Sequence, residues 1–253
     1  MKIEPDGWLA GVFGHPVFKV SLSDQEGSEG ISPVSEETLC ISSQGQPAFY
    51  YAKIPTTQVR RVRTLTAAGF SVVDVNVTFE REPVRCPDWT AGGNIIVRDI
   101  LPSEHECVLD IAASCFVYSR FHLDSQVPNQ VANAVKRAWI DSYCHKRRGE
   151  RLLVAELDGK PVGFNAVLAT AMGIEPVRVI DLIGVDKAYQ GRAVGKRLVE
   201  HFIHDSAGRY ARLRVGTQAA NIPSMRLYEG CGFRVAETAY LLHAHVRDGE
   251  VIR

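Results

Sequence analysis

The chain has 253 residues, of which 45% are hydrophobic and 23% are charged, and its 29 basic residues balance its 29 acidic ones. This is the composition of an ordinary globular protein, long enough for one large domain or two smaller ones. A net charge of zero argues against nucleic acid as the main partner. We expect no membrane span and no signal peptide, because no apolar run approaches about 18 residues and no basic-then-apolar segment opens the chain.

The six cysteines are scattered along the sequence, with no Cys-x-x-Cys pair and no metal-ligand spacing. This pattern predicts free thiols rather than a disulfide framework or a zinc site. We therefore expect a protein of the reducing cytoplasm that binds no metal.

The N-terminal third of the sequence is irregular at first and then becomes regular. Residues 48–54 are rich in aromatic side chains and predict a strand. Apolar residues at helical spacing follow over residues 59–68, with Gly69 as a natural helix end. Residues 70–79 alternate between apolar and polar positions, which predicts a second strand. We interpret residues 1–80 as a small N-terminal α/β domain.

A linker is predicted after this region. Residues 81–93 contain two prolines and two glycines, a composition typical of linkers. Residues 94–253 are predicted to form a second domain, in the order strand, two helices, three strands, loop, helix, strand, helix, strand. The predicted strands are residues 94–98, 151–157, 162–170, 177–185, 211–217 and 240–246. The first helix is predicted to begin at a capping box of Ser103 and Glu106, and the second to cover residues 129–143.

The N-terminal helix and strand have a counterpart near the C-terminus. Residues 63–70 align without gaps with residues 226–233, and both segments contain a helix followed by glycine and phenylalanine. Leu65 stands where the second segment has Tyr228, and no comparable glycine-bearing loop precedes the first. Two explanations remain open: chance, since helix–glycine–strand is a common pattern, and a partial, chemically silent copy of the second domain.

The stretch around which the chain is organised covers residues 179–206. It predicts a buried strand, a loop with Gly191 and Gly195, and a helix. Backbone N–H groups at a helix start lack partners within the helix, and the helix dipole favours an anion there. Arg192 and Lys196 add positive charge. The loop matches neither the P-loop nor the dinucleotide fingerprint, yet it predicts a site for a phosphate-bearing ligand.

Two motifs, one in this stretch and one after it, resemble one known family. The residues from Gln190 to Lys196, Gln-Gly-Arg-Ala-Val-Gly-Lys, resemble the Gln/Arg-x-x-Gly-x-Gly/Ala signature of GCN5-related N-acetyltransferases, with Ala193 where glycine is usual. The segment from Asn221 to Phe233 resembles that family's Asn-x-x-Ser/Ala-x-x-Leu-Tyr-x-x-x-Gly-Phe motif. The resemblance implies an α/β fold with a mixed, mostly antiparallel central sheet flanked by helices.

The resemblance also implies a cofactor, acetyl-CoA. In that family the loop binds the pyrophosphate, the preceding strand pairs with the pantetheine arm, and the second motif contacts the thioester end. The implied cofactor-binding residues are Leu182, Ile183, Gly184, Val185, Gln190, Gly191, Arg192, Ala193, Val194, Gly195, Lys196, Asn221, Ser224 and Tyr228.

The implied chemistry is the direct attack of an amine on a thioester, with a thiolate leaving. A tyrosine titrates near pH ~10 and a thiol near ~8.5, so Tyr228 stays protonated and can donate to the departing sulfur. The acceptor amine must also lose a proton to a general base. Asp181, on the strand beside the cofactor, could take it directly or through water, or its side chain could point away from the site. His243 and His245 share one face of the last strand, and either could approach the acceptor or serve a structural role.

A second resemblance concerns the acceptor. Residues 51–57, 65–79 and 119–122 look like the corresponding parts of the TDP-fucosamine acetyltransferase group. That resemblance implies acetylation of the 4-amino group of a nucleotide-linked dideoxysugar in cell-envelope polysaccharide synthesis. The implied substrate-binding residues are Arg120, Phe121 and His243. Arg120 could pair with a diphosphate.

Other readings of the function stay open. The acceptor could instead be a protein N-terminus, a lysine or a small amine, and a homodimer is possible. A reading from another class is an acyl-CoA-binding module without turnover, against which the presence of Asn221 and Tyr228 argues.

Overall fold

The computed structural model of the protein describes residues 2–22, 35–84 and 94–252. Residues 85–93, most of the predicted linker, lie outside the described residues. The strands are β1 (Lys2–Pro5), β2 (Val17–Ser21), β3 (Ala48–Pro55), β4 (Ser71–Arg81), β5 (Ile95–Asp99), β6 (Arg151–Leu157), β7 (Lys160–Met172), β8 (Glu175–Val185), β9 (Arg212–Gln218), β10 (Arg234–Arg247) and β11 (Glu250–Ile252). The helices are α1 (Gly7–Phe13), α2 (Glu36–Ser42), α3 (Val59–Ala67), α4 (His105–Ser114), α5 (Asn129–Cys144), α6 (Val194–Ser206) and α7 (Ile222–Gly230).

The described strands form one 11-stranded sheet in the order β1-β2-β3-β10-β4-β9-β8-β7-β6-β5, with β11 against β10. The neighbouring strands pair antiparallel except for β2 with β3 and β8 with β9. Helices α4 and α5 pack on one face of β6–β8, while α6 and α7 pack on the other. This confirms the predicted mixed, mostly antiparallel sheet flanked by helices. None of the described helices is long and apolar enough to cross a lipid bilayer.

The start of α4 differs from its prediction. A 3₁₀ turn over Pro102–Glu104 precedes the helix, and the carboxylate of Glu104 accepts a hydrogen bond from the Leu101 N–H at 2.8 Å. Glu106 instead pairs with Arg137 at 2.6 Å. The predicted capping box of Ser103 and Glu106 is therefore wrong, because Glu104 already occupies the backbone of the entering turn.

The two parallel strands at the centre of the second half separate partway along their length. Pairing between β8 and β9 extends only from Val177 to Ile180, although β8 continues to Val185. On its other side β8 pairs with β7 with a register shift that leaves Asp181 as the extra residue. The bulge and the separation leave part of the β8 backbone without a partner strand on its β9 side.

The sequence counterpart around α3 and α7 corresponds to a regular feature of the fold. The unit β3-α3-β4 and the unit β9-α7-β10 exchange their last strands, since β10 pairs with β3 and β4 pairs with β9. Pro55 lies opposite Ala239, and Gln218 lies opposite Asn76. The alignment that matches residues 63–70 with residues 226–233, extended in both directions, also matches Pro55 with Gln218 and Asn76 with Ala239. The two pairs are therefore equivalent. The pair Asn76–Ala239, which joins β4 to β10, therefore marks a local pseudo-twofold axis.

This exchange bears on the predicted division into domains. The boundaries at residues 80 and 93 stay a prediction, as does the silent-copy interpretation. The pairing shows that β4 contributes directly to the sheet of the second half, between β9 and β10.

Candidate active site

A cleft of about 850 Å³ lies where β8 and β9 separate. Every cofactor-binding residue predicted from the sequence lines this cleft except Arg192. The guanidinium of Arg192 stacks instead over the ring of Tyr189, 5.2 Å from its centroid, and Tyr189 does line the cleft. Asp181 and Tyr228 line it as well, so the structure brings together the predicted loop, strand and catalytic side chains.

The loop before α6 is shaped by two residues in the left-handed region, Gly191 with φ of +76° and Ala193 with φ of +63°. The side chain of Gln190 braces the loop by donating to the carbonyl oxygen of Val185 at 3.1 Å. Helix α6 then begins with no side-chain cap on its first turn. Its leading N–H groups are therefore available to an anion such as a pyrophosphate.

Two positions of the predicted site carry glycine for different physical reasons. A Cβ on Gly195 would lie 3.4 Å from Leu227 Cδ2 and 3.7 Å from Val185 Cγ2, which are ordinary contacts. The fold alone does not require glycine there, so the close approach of a ligand is the fitting explanation. A Cβ on Gly184 would lie 2.7 Å from the Cys115 sulfur. Packing alone therefore demands glycine at residue 184.

Tyr228 projects from α7, a helix whose first turn is capped by Asn221 accepting from the Ser224 N–H at 3.2 Å. The tyrosine is 2% exposed and its ring lies 5.8 Å from that of Phe79 on β4. Burial raises the pKa of its hydroxyl above the ordinary value, and a hydrogen bond with Ser224 opposes this in part. Tyr228 therefore carries its proton at neutral pH, as an acid for a departing thiolate must.

Asp181 faces α5 and is heavily hydrogen-bonded. Its Oδ2 accepts from Trp139 Nε1 at 2.7 Å, from the Tyr143 hydroxyl at 2.8 Å and from Arg148 Nε at 2.6 Å. Arg148 also reaches the other oxygen, Oδ1, at 3.0 Å. The carboxylate thus positions the aromatic wall of the cleft, and its assignment as general base stays a prediction.

His243 is 2% exposed and is not among the residues that line the cleft. Its Nδ1 lies 2.7 Å from Asp124 Oδ2, and His245 Nε2 lies 2.8 Å from the same oxygen. Burial lowers the pKa of His243 to about 4, so the ring is neutral at pH 7. The three atoms of Asp124, His243 and His245 that could hold a metal ion lie within 4.8 Å of one another. Because one Asp124 oxygen lies at hydrogen-bond distance from both rings, we describe the group as a hydrogen-bonded trio.

Arg120 and Phe121 line a second cavity, of about 770 Å³. The guanidinium of Arg120 lies between two rings, 4.2 Å from the centroid of Tyr51 and 4.5 Å from that of Phe121. Burial lowers the pKa of Arg120 to about 10, which leaves it charged at neutral pH. Trp139 lines both cavities and is the wall that they share.

Sequence reasoning missed several residues of the cleft. They include Lys53, Asn76, Thr78, Lys136, Trp139 and Arg214. Asn76 and Thr78 occupy the polar face of β4. The alternation of residues 70–79 indicates such a face, but it does not indicate that the face lines the cleft. Lys136 lies at helical spacing from Ala132 and Ile140, both of which are fully buried. Its position on the inward face of α5 was a signal that the sequence contained.

Comparisons with known proteins place the chain in a family. The model of the Acetyltransferase (GNAT) family matches residues 108–233. The 5-NmdU N-acetyltransferase of Pseudomonas phage PaMx11 is 30% identical over 142 residues, which cover 56% of this chain and 89% of the phage protein. The chain belongs to the GNAT family of acetyltransferases, enzymes that use acetyl-CoA.

Two further proteins are similar to the chain. The spore coat polysaccharide biosynthesis protein SpsD of Bacillus subtilis (strain 168) is 24% identical over 143 residues, or 56% of this chain, and the chain spans 48% of that relative's length. A GCN5-related N-acetyltransferase from Sphaerobacter thermophilus has a TM-score of 0.57 at 14% identity, covering 84% of this chain and 64% of that one. The second likeness concerns the fold alone.

Proposed function

We propose that the protein transfers an acetyl group from acetyl-CoA to the amino group of a nucleotide-linked aminodideoxysugar. The observation that carries the transfer step is a buried, protonated Tyr228 in the same cleft as an uncapped helix start. Acetyl-CoA supplies the thioester carbonyl that an amine attacks.

Three parts of the chain would take part in cofactor binding and acetyl transfer. The first-turn N–H groups of α6 would hold the pyrophosphate, with Gly195 leaving room for its approach. The β8 backbone over residues 182–185 offers hydrogen-bonding groups beyond its pairing with β9. Tyr228 would donate its proton to the sulfur as the thiolate leaves, which removes the cost of expelling an unprotonated thiolate.

Arg120 supports the nucleotide part of the proposal. Among the described residues no carboxylate lies within ion-pair distance of its guanidinium, although Asp6 lines the same cavity and raises the pKa of Arg120. A planar guanidinium suits a diphosphate. Its cavity adjoins the cleft at Trp139. The aromatic residues Trp8 and Tyr51 also line that cavity and offer surfaces for a nucleobase. The name of the SpsD relative refers to polysaccharide biosynthesis, which fits a sugar acceptor.

A screen of acceptors tests the proposal. Free-thiol release from acetyl-CoA would be measured with TDP- and UDP-linked 4-amino-4,6-dideoxysugars, the same sugars without nucleotide, an N-terminal peptide, spermidine and 5-NmdU. We expect turnover with a nucleotide-linked sugar, and an Arg120→Gln variant should raise the KM for that sugar while its CoA affinity stays unchanged. Turnover only with the peptide, the polyamine or 5-NmdU would overturn the assignment of the acceptor.

A further inference from the structure

Lys136 is a buried cation that the mechanism above does not use. It lies on α5, is 7% exposed, and lines the same cleft as Asp181 and Tyr228. Its ammonium nitrogen lies 5.0 Å from the ring centroid of Phe116 and 5.2 Å from that of Trp139. Within the described ranges it makes no hydrogen bond or ion pair. The faces of these rings favour the ammonium in part, but burial without an ion-pair partner disfavours it more. Losing the proton relieves that cost.

The surroundings of Lys136 favour its neutral form. Burial and the positive charge of Arg120 lower its pKa to about 8, while the Cys115 thiol and the Asp181 carboxylate oppose this shift. Arg148 is paired with Asp181 at 2.6 Å and so offsets much of that carboxylate's charge. The titratable groups facing Lys136 from the elements around it are Cys115 after α4, Arg120 and His122 in the loop before α5, and Asp181 on β8.

The other candidate bases are engaged in hydrogen bonds or hold their own proton. Both oxygens of Asp181 accept hydrogen bonds, and one oxygen accepts three. His243 does not line the cleft, and its Nδ1 is held by Asp124. Burial raises the pKa of the Cys115 thiol to about 12, so it holds its proton. Lys136, once deprotonated, has a lone pair that the described contacts leave free.

We propose that Lys136, as a neutral amine, is the general base that takes the proton from the acceptor ammonium group. The inference rests on the proposed amine acetylation. The acceptor N–H bond breaks and a new N–H bond forms at Lys136 Nζ. The freed lone pair attacks the thioester carbonyl carbon, the C–S bond breaks, and the sulfur takes the proton of Tyr228. The second proton of the acceptor nitrogen returns to the Tyr228 oxygen, and Lys136 releases its proton to solvent.

Three variants separate a base from a mere positive charge. Lys136→Met keeps most of the side-chain length and should lower kcat/KM for the aminosugar by about 10²–10⁴-fold at neutral pH. Lys136→Arg keeps a charge that cannot be removed, because guanidinium titrates far above neutrality. It should therefore be as impaired as the Met variant. Lys187→Met, which removes an exposed charge nearby, is the matched control and should keep the wild-type pH profile.

The acceptor for these assays is TDP-4-amino-4,6-dideoxygalactose, with kcat/KM measured across pH 6 to about 10. The wild type should show a basic-form limb near pH ~8 that the Met and Arg variants lack. Full activity in Lys136→Arg with a raised KM in Lys136→Met would show anion binding and overturn the base assignment. An unchanged limb in Lys136→Met would overturn it as well.

A readout independent of the acceptor keeps failure of this inference distinct from failure of the proposed function. Competitive labelling with acetic anhydride, followed by peptide mass spectrometry across pH, reports the titration of Lys136 directly. We expect half-maximal reactivity near pH ~8, and titration near the ordinary lysine value of ~10.4 would overturn the inference. If the TDP-sugar is not acetylated by the wild type, the acceptor proposal fails. The labelling and the variants, assayed with the amine that the screen identifies, then decide the role of Lys136.

Discussion

Replacing Gly195 with alanine isolates the contribution of the loop to cofactor binding. The new methyl group meets only Leu227 Cδ2 at 3.4 Å and Val185 Cγ2 at 3.7 Å, and Gly195 has no left-handed φ. The free protein should therefore accept the change and gain about 0.5–1 kcal/mol, because alanine is favoured over glycine within a helix. For a chain of this size that gain raises the melting temperature by about 1–4 °C.

The cost should appear only on binding CoA. Gly195, Leu227 and Val185 all line the cleft, so a methyl group among them should keep the pyrophosphate from approaching the α6 N–H groups. Hydrogen bonds to charged groups contribute about 1.5–3 kcal/mol, so the Kd for CoA should rise by about 10- to 150-fold. Isothermal titration calorimetry measures the Kd, and Gly195→Val should weaken binding further.

Gly230 supplies the matched control. It ends α7, does not line the cleft, and a Cβ there would meet nothing within 4 Å. Gly230→Ala should leave the Kd for CoA unchanged. If Gly195→Ala folds normally and binds CoA within about twofold of wild type, a difference of only ~0.4 kcal/mol, the loop is not the pyrophosphate site and the reasoning fails.

Ala193→Gly should relieve about 1–2 kcal/mol of left-handed strain and lose about 0.4–1 kcal/mol through the unfolded state, so denaturant unfolding should show a gain of up to about 1.6 kcal/mol; a destabilised variant would contradict this. Calorimetry should give one CoA per chain, since no glycine-bearing loop like the one before α6 precedes α3 and Leu65 stands where α7 has Tyr228; two sites would contradict it. The folded state holds His243 neutral with a pKa near 4, below the unfolded value of ~6.5. Its stability contribution is therefore complete above pH ~6.5 and falls by up to about 3 kcal/mol as the pH drops to ~4, and His243→Gln should flatten that part of the melting-temperature profile.

The sequence predicted the local elements around the site well, because their signals are local. The strand and helix that flank Gly195 are specified by periodicity, and the loop by its glycines. The observed bounds of β6 agree with the predicted residues 151–157. Asn221, the first residue of the second motif, caps α7 in the structure.

What the sequence did not show depends on distant pairings. Nothing local to residues 70–79 indicates that β4 enters the sheet between β9 and β10, and so brings Asn76 and Thr78 to the cleft. The donors to Asp181 come from α5 and the turn after it, and only the assembled fold brings them to one carboxylate. Arg120 was assigned to the acceptor by resemblance, and its separate cavity emerges only in three dimensions.

Thiol release from acetyl-CoA would be measured with the wild type and with Tyr228→Phe, each with TDP-4-amino-4,6-dideoxygalactose as acceptor. The variant keeps the buried ring against Phe79 and removes the hydroxyl group that would supply the proton. We predict that the wild type releases thiol with the sugar gaining one acetyl group. The variant should bind CoA normally and turn over about 10²–10⁴-fold more slowly. Near-normal turnover by the variant would make Tyr228 a packing residue and contradict the account.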